Sequence, residues 1–251
     1  MNLVTRGAVT PESAGWKYVG FEALQVEGRV ERETRTDELC IVVISGACSV
    51  LSEYGEWREL GGRDDPWSGM PDAAYLPPGT HYALEGDAEV GLCSAPAVEG
   101  ARARVLPGDR VEEETRGHGN LERTVRPILM GDEAADSLLV CEVLTPAGHW
   151  SSYPPHKHDR DAMPEESFLE ETYYHRISPA RGFALQRVYT ADGDLDETLA
   201  VRDGDVVLVP RGYHTVSAPP GYELYYLNVM AGPVRAWAVA NDPDHEWTLS
   251  P

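Results

Sequence analysis

The chain has 251 residues, enough for one large domain or two of roughly 125 residues, and enough to bury about 70% of its unfolded surface without covalent staples. Forty-two acidic residues against 21 basic ones give a formal net charge of −21, which repels nucleic-acid backbones and anionic membrane surfaces. A small anionic substrate remains admissible, because a few arginines suffice to set a local field.

No run of 18 apolar residues occurs, and the first 16 residues lack an apolar stretch, so neither a transmembrane helix nor a signal peptide is expected and the location reads as cytoplasmic. Cys40, Cys48, Cys93 and Cys141 form no CxxC pair and lie in apolar, strand-like surroundings, which predicts buried reduced thiols.

Proline (19) and glycine (24) punctuate the chain at short intervals, and helical periodicity is scarce. In chain order, residues 39–44 (LCIVVI), 74–76, 138–144 (LLVCEVL), 168–176 (FLEETYYHR), 183–189 (FALQRVY), 205–209 (DVVLV) and 223–230 (ELYYLNVM) read as strands. Many short strands with turns between them predict an all-β sandwich or barrel. A weak repeat supports duplication: Pro77, Gly79 and His81 match Pro210, Gly212 and His214, each set directly after a strand. Two barrels are expected, 1–110 and 111–251, with the linker within 97–120. The run Glu112, Glu113 and Glu114 there is a solvated face.

The densest chemistry lies at Tyr153-Pro-Pro-His156-Lys-His158-Asp159. In an extended segment residues i and i+2 share a side, so His156 and His158 can face one ion while Lys157 points away. Downstream come Glu170 and Glu171, then the turn carrying His214. An ordered HxH, Glu, PxGxH set is the ligand order of a cupin barrel, and its N and O donors suit Zn²⁺, Mn²⁺ or Fe²⁺. Alternation puts Glu171, Tyr173 and His175 on one face and Glu170, Thr172 and Tyr174 on the other. Glu171 is the preferred ligand, with Glu170 turned to solvent or a lid, although periodicity alone leaves the choice open. The first copy reads RETRTDE at 32–38 where HxH would stand. His81 alone cannot hold a metal and reads as a histidine with one structural hydrogen bond. One divalent ion per chain, in the C-terminal barrel, is therefore expected.

The segments SSYPPHKHD (151–159), LEETYYHR (169–176), GFALQRVY (182–189), VVLVPRGYH (206–214) and YYLNVMAGPVRAW (225–237) resemble the 5-deoxy-glucuronate isomerase family of myo-inositol catabolism. SGACSV (45–50), YLPPGTH (75–81) and NDPDHEW (241–247) extend the resemblance over nearly the whole chain. The 4-deoxy-5-hexosulose-uronate isomerase of pectin breakdown is a more distant relative. The resemblance implies a duplicated cupin, a divalent metal held by His156, His158, a Glu and His214, and an aldose–ketose isomerisation of a small sugar acid. In the pectin relative the Glu precedes a Tyr by two residues, as in Glu171-Thr172-Tyr173. Two departures from the general cupin pattern stand out. The insert 159–170 is long and is expected to loop over the barrel mouth, and only one residue separates Gly212 from His214.

The far carboxylate of such a substrate needs a cation, for which Arg187 is a candidate. Gln186 faces the other way, so only one of the two points inward. Tyr173 and Asn228 complete the substrate-side candidates. The general base is not selected by sequence, and Glu170 is its weak candidate. A homo-oligomer is expected. Two other readings are a non-catalytic sugar-acid-binding cupin and a different metal bicupin enzyme, such as a dioxygenase or decarboxylase.

Overall fold

A computed structural model of the protein describes residues 2–249. The chain is built almost wholly from antiparallel strands, and among the described residues no helix is long and apolar enough to cross a membrane. It divides into two compact units. One comprises Gly7–Glu112 and Pro127–Cys141; the other comprises, among the described residues, 2–6, Glu113–Arg126 and 142–249. A single cut after residue 110 thus gives way to an exchange, in which residues 127–141 belong with the N-terminal half and the described residues before Gly7 with the C-terminal half. The expected linker is not bare: Arg104–Leu106 pairs with Ala73–Leu76, and Glu114–Arg116 pairs with Arg123–Leu129.

The N-terminal unit is organised on the long strands Gly20–Glu33, Asp37–Ser52 and His81–Pro96. Alternation along them sends Leu39, Ile41 and Val43 inward. An irregularity between Val43 and Ser45 then switches the parity, so that Cys48 and Val50 continue the same core with Leu84, Val90 and Leu92. This interior is apolar. Tyr82 belongs to it and His81, one residue earlier, does not: its side chain is 78% exposed and stands 3.9 Å from Glu33. His81 is therefore a surface residue rather than a structural one. A one-residue offset in a strand exchanges the two faces.

Glu38, fully buried in this unit, accepts hydrogen bonds from the Tyr75 hydroxyl (2.6 Å) and from the amides of Asp136 (2.8 Å), Ser137 (2.7 Å) and Leu138 (2.7 Å). It ties residues 136–138 to the strand Asp37–Ser52. All four cysteines are buried, and none is in a disulfide.

The C-terminal unit contains a sheet in which Val4–Arg6, Asp205–Val209, Glu170–Ser178 and Glu223–Ala231 are successive neighbours. A second sheet runs in the order Asp196–Val201, Ala184–Tyr189, Tyr213–Ser217, Trp150–Lys157 and Ala240–Asn241. Every strand expected from the sequence is present, within a residue or two at the ends for the shorter ones. Strands with charged or interrupted patterns, such as Gly20–Glu33 and Asp196–Val201, are additional.

Candidate metal centre

His156 and His158 lie at and just beyond the end of Trp150–Lys157, and His156 sits opposite His214 in the register. Glu171 is the second residue of Glu170–Ser178, opposite Val209 on one side and Met230 on the other. The turn Pro210-Arg211-Gly212 delivers His214 to this point. Gly212 has φ +85°, and a Cβ there would lie 2.3 Å from the Tyr189 carbonyl oxygen, so only glycine fits.

The donor atoms of His158, Glu171 and His214 all lie within 4.8 Å of one another, and the three residues are almost completely buried. His158 Nε2 and His214 Nε2 each stand 3.0 Å from Glu171 Oε2. His156 is half-buried beside them, its ring 4.6 Å from that of His214 and 6.3 Å from that of His158. The Nδ1 atoms of His158, His156 and His214 face the carbonyl oxygens of Leu169 (3.0 Å), Pro154 (3.4 Å) and Gly212 (3.3 Å). Donation from Nδ1 leaves the Nε2 lone pairs free, as metal-ligating histidines require.

Asn228 Nδ2 donates to Glu171 Oε1 at 2.6 Å and so leaves Oε2 to the imidazoles. Burial alone would raise the Glu171 carboxyl, but His214 and His158 outweigh it and hold the group well below the usual carboxylate range. Burial, reinforced by His214 and His158, brings His156 down to about 3. Among the described residues no lysine or arginine pairs with Glu171. Among the described residues the only counter-charges within reach of the buried Glu171 carboxylate are protons on His158 and His214, and a divalent cation would replace those protons and leave neutral Nε2 donors. The donor set fits such an ion.

The strand alternation predicted from sequence holds for the inward set. Tyr173 and His175 follow Glu171 on its face, their rings stacked at 6.0 Å. The Tyr173 hydroxyl bonds Ser152 Oγ (3.0 Å), which lies 3.4 Å from the Tyr226 hydroxyl, itself 2.6 Å from Ser151 Oγ. Ser152 has φ +51°, a strained value for a non-glycine residue, beside a register irregularity in its strand. Gln186 is buried and bonds His175 Nε2 at 2.9 Å.

Three expectations change. Arg187 points away from the cluster: Asp196 holds it by two 2.8 Å bonds and its guanidinium lies over the Tyr189 ring, because Gln186 takes the inward parity. Glu170 is buried rather than turned to solvent, since both faces of its strand are covered. The insert 159–170 is a tied hairpin of Asp159–Ala162 and Glu166–Phe168, not a free loop. Its buried Glu166 accepts from Lys157 Nζ (2.6 and 2.9 Å), the amides of Asp159 and Arg160 (2.9 and 3.1 Å) and the Arg160 side chain. Asp159 Oδ2 in turn accepts from the Gly212 amide at 2.8 Å, joining the hairpin to the turn that carries His214.

Sequence reasoning missed Ser152, Tyr226 and Trp237, whose ring stands edge-on 6.5 Å from His156. The i, i+2 relation of Tyr226 to Asn228 could have found the tyrosine; nothing local marks the other two.

Two β-barrel units, one filled with apolar side chains and one carrying a buried imidazole–carboxylate cluster, define a duplicated cupin. Solved structures agree on the fold: oxalate decarboxylase from Bacillus subtilis superposes with a TM-score of 0.64 over 96% of this chain and 78% of that one, at 15% identity. The chain belongs to the KduI/IolB family, whose model matches residues 4–248. It is 53% identical over 246 residues to a Geobacillus kaustophilus protein named 5-deoxy-glucuronate isomerase, covering 96% of this chain and 89% of that protein. An IolB-like protein from Salmonella typhimurium LT2 superposes with a TM-score of 0.97 over the full length of both chains, at 41% identity.

Proposed function

We propose that the protein is a metal-dependent aldose–ketose isomerase that converts 5-deoxy-glucuronate to 2-deoxy-5-keto-gluconate in myo-inositol catabolism, with His156, His158, Glu171 and His214 holding one divalent ion. The observation that carries this reading is the buried cluster of His158, Glu171 and His214 in a chain so similar to a protein of that name. A divalent ion, when bound, supplies Lewis-acid polarisation of the aldehyde and of the neighbouring hydroxyl. The protein's own residues do the rest. Asn228 orients Glu171. Burial keeps the Tyr173 hydroxyl well above its ordinary range, so it stays protonated and serves as a hydrogen-bond donor rather than as a base. With the hydroxyls of Ser152 and Tyr226 it offers a polar wall to the substrate's hydroxyl groups. The reaction has no net redox change, so a neutral-imidazole site with one carboxylate is sufficient.

Proton NMR tests the reading. Metal-loaded protein incubated with 5-deoxy-glucuronate should consume the aldehyde and produce the ketone, and His214→Ala, still folded, should not. A folded, metal-loaded protein that leaves the aldehyde intact would refute it.

A further inference from the structure

We propose that Arg123 binds the carboxylate of the sugar acid, with Arg116 beside it at the rim of the site; this rests on the reading above for the identity of the substrate. The aldehyde and the carboxylate stand at opposite ends of a six-carbon chain, so a group other than the metal ligands must take the carboxylate. Arg187, turned outward and paired with Asp196, does not meet that need.

Arg123 opens the strand Arg123–Leu129 and lies opposite Arg116 in the register. Two chains of contacts lead from the cluster to this pair. On one side, Tyr173 stands 5.8 Å ring to ring from His214 and is joined through Ser152 to Tyr226. Tyr226 lies on Glu223–Ala231, which a single strand separates from Arg123–Leu129 in the same sheet, and burial lowers the pKa of the Arg123 guanidinium. On the other side, His156 meets Trp237, and the Arg116 guanidinium lies 5.2 Å over the Trp237 ring.

Among the described residues Arg35, Arg102, Arg110, Arg181 and Arg202, like Arg123, pair with no carboxylate, but they are exposed and Arg123 is not. Arg126, Arg160, Arg176 and Arg187 each hold a carboxylate. Arg116 holds Glu114. Arg123 is half-buried, its Nη1 donates to the Leu121 carbonyl at 3.2 Å, and among the described residues no carboxylate pairs with it. A partly desolvated guanidinium opposite another arginine and bonded only to a carbonyl is left short of a counter-charge. An entering carboxylate completes it with bidentate, charge-assisted hydrogen bonds, and the fork geometry gives the site a preference for acids.

Calorimetric titration of the metal-loaded protein with D-glucuronate and with its neutral isostere D-glucuronamide isolates the charge. The wild type should prefer the acid by about 100-fold, and Arg123→Gln should level that preference while metal content stays the same. Arg123→Lys, which keeps the charge without the fork, should retain about a tenth of it. Arg187→Gln should match the wild type. The proposal is overturned if the acid preference survives Arg123→Gln or, should that variant not fold, survives Arg123→Lys undiminished. A wild type that does not bind or does not favour the acid overturns it equally. Loss of 5-deoxy-glucuronate turnover with Arg123-dependent binding intact would count against the isomerase reading and not against this one.

Discussion

Glu171 is the one anion among the imidazoles, and its removal should matter more than any single neighbour's. Glu171→Gln should lower metal affinity at least about 100-fold, because it replaces the ligand that compensates the ion's charge. Glu170→Gln, altering a buried residue outside the cluster, should keep the metal. Metal content after dialysis against a buffered chelator decides between them, and a Glu170→Gln protein that loses its metal would reverse the assignment. Much at this scale was legible. The meeting of His158 with His214 and the place of His156 beside them follow from spacing, because i and i+2 share a face and a Pro-x-Gly turn aims the next strand. Asn228 was visible as a polar residue in an apolar run. Gln186 against Arg187 was not, because alternation gives two faces and does not say which is inside. Arg123 carries no motif at all; its role depends on what is missing around it, which only three dimensions reveal.

The hairpin between His158 and Glu171 is the element on which the centre depends. Glu166, fully buried, is the common acceptor for Lys157, Arg160 and two backbone amides, and Asp159 reaches the Gly212 amide. Removing that carboxylate leaves Lys157 only Asp159 (Nζ to Oδ1, 2.7 Å) and takes the acceptor from the Arg160 side chain and from two backbone amides, a change that costs about 3 kcal/mol. Glu166→Ala should therefore lower unfolding free energy by about that amount in urea titration and weaken metal binding through the displaced His158, whereas an effect below about 1 kcal/mol would show that the hairpin is only a surface appendage. The length of the insert was plain in the sequence. Its shape was not, because the acids at 159–171 look alike until their partners are known: Glu165 is exposed, Glu166 ties the hairpin, and Glu171 reaches the cluster. Elements with clean apolar runs were readable, and those with alternating charge, such as Gly20–Glu33, were not.

At the scale of the whole molecule, duplication was legible in the two Pro-x-Gly-x-His turns, but the division of labour lay in one residue of register. In the N-terminal unit the offset buries Tyr82 and exposes His81, and the core around Tyr82 is apolar; in the C-terminal unit His214 is buried beside Glu171. The exchange of residues 127–141 was invisible, since it is held by contacts such as those of Glu38 that no local pattern announces. Under the proposed reading one unit is a packed scaffold and the other carries the chemistry, so a single ion per chain should account for all turnover. The direct measurement is a titration of metal-free protein with a divalent ion while conversion of 5-deoxy-glucuronate is followed by NMR. Activity should be absent at the start, rise linearly and break at one equivalent per chain. Full activity in the metal-free protein, or a break at two equivalents, would contradict the account.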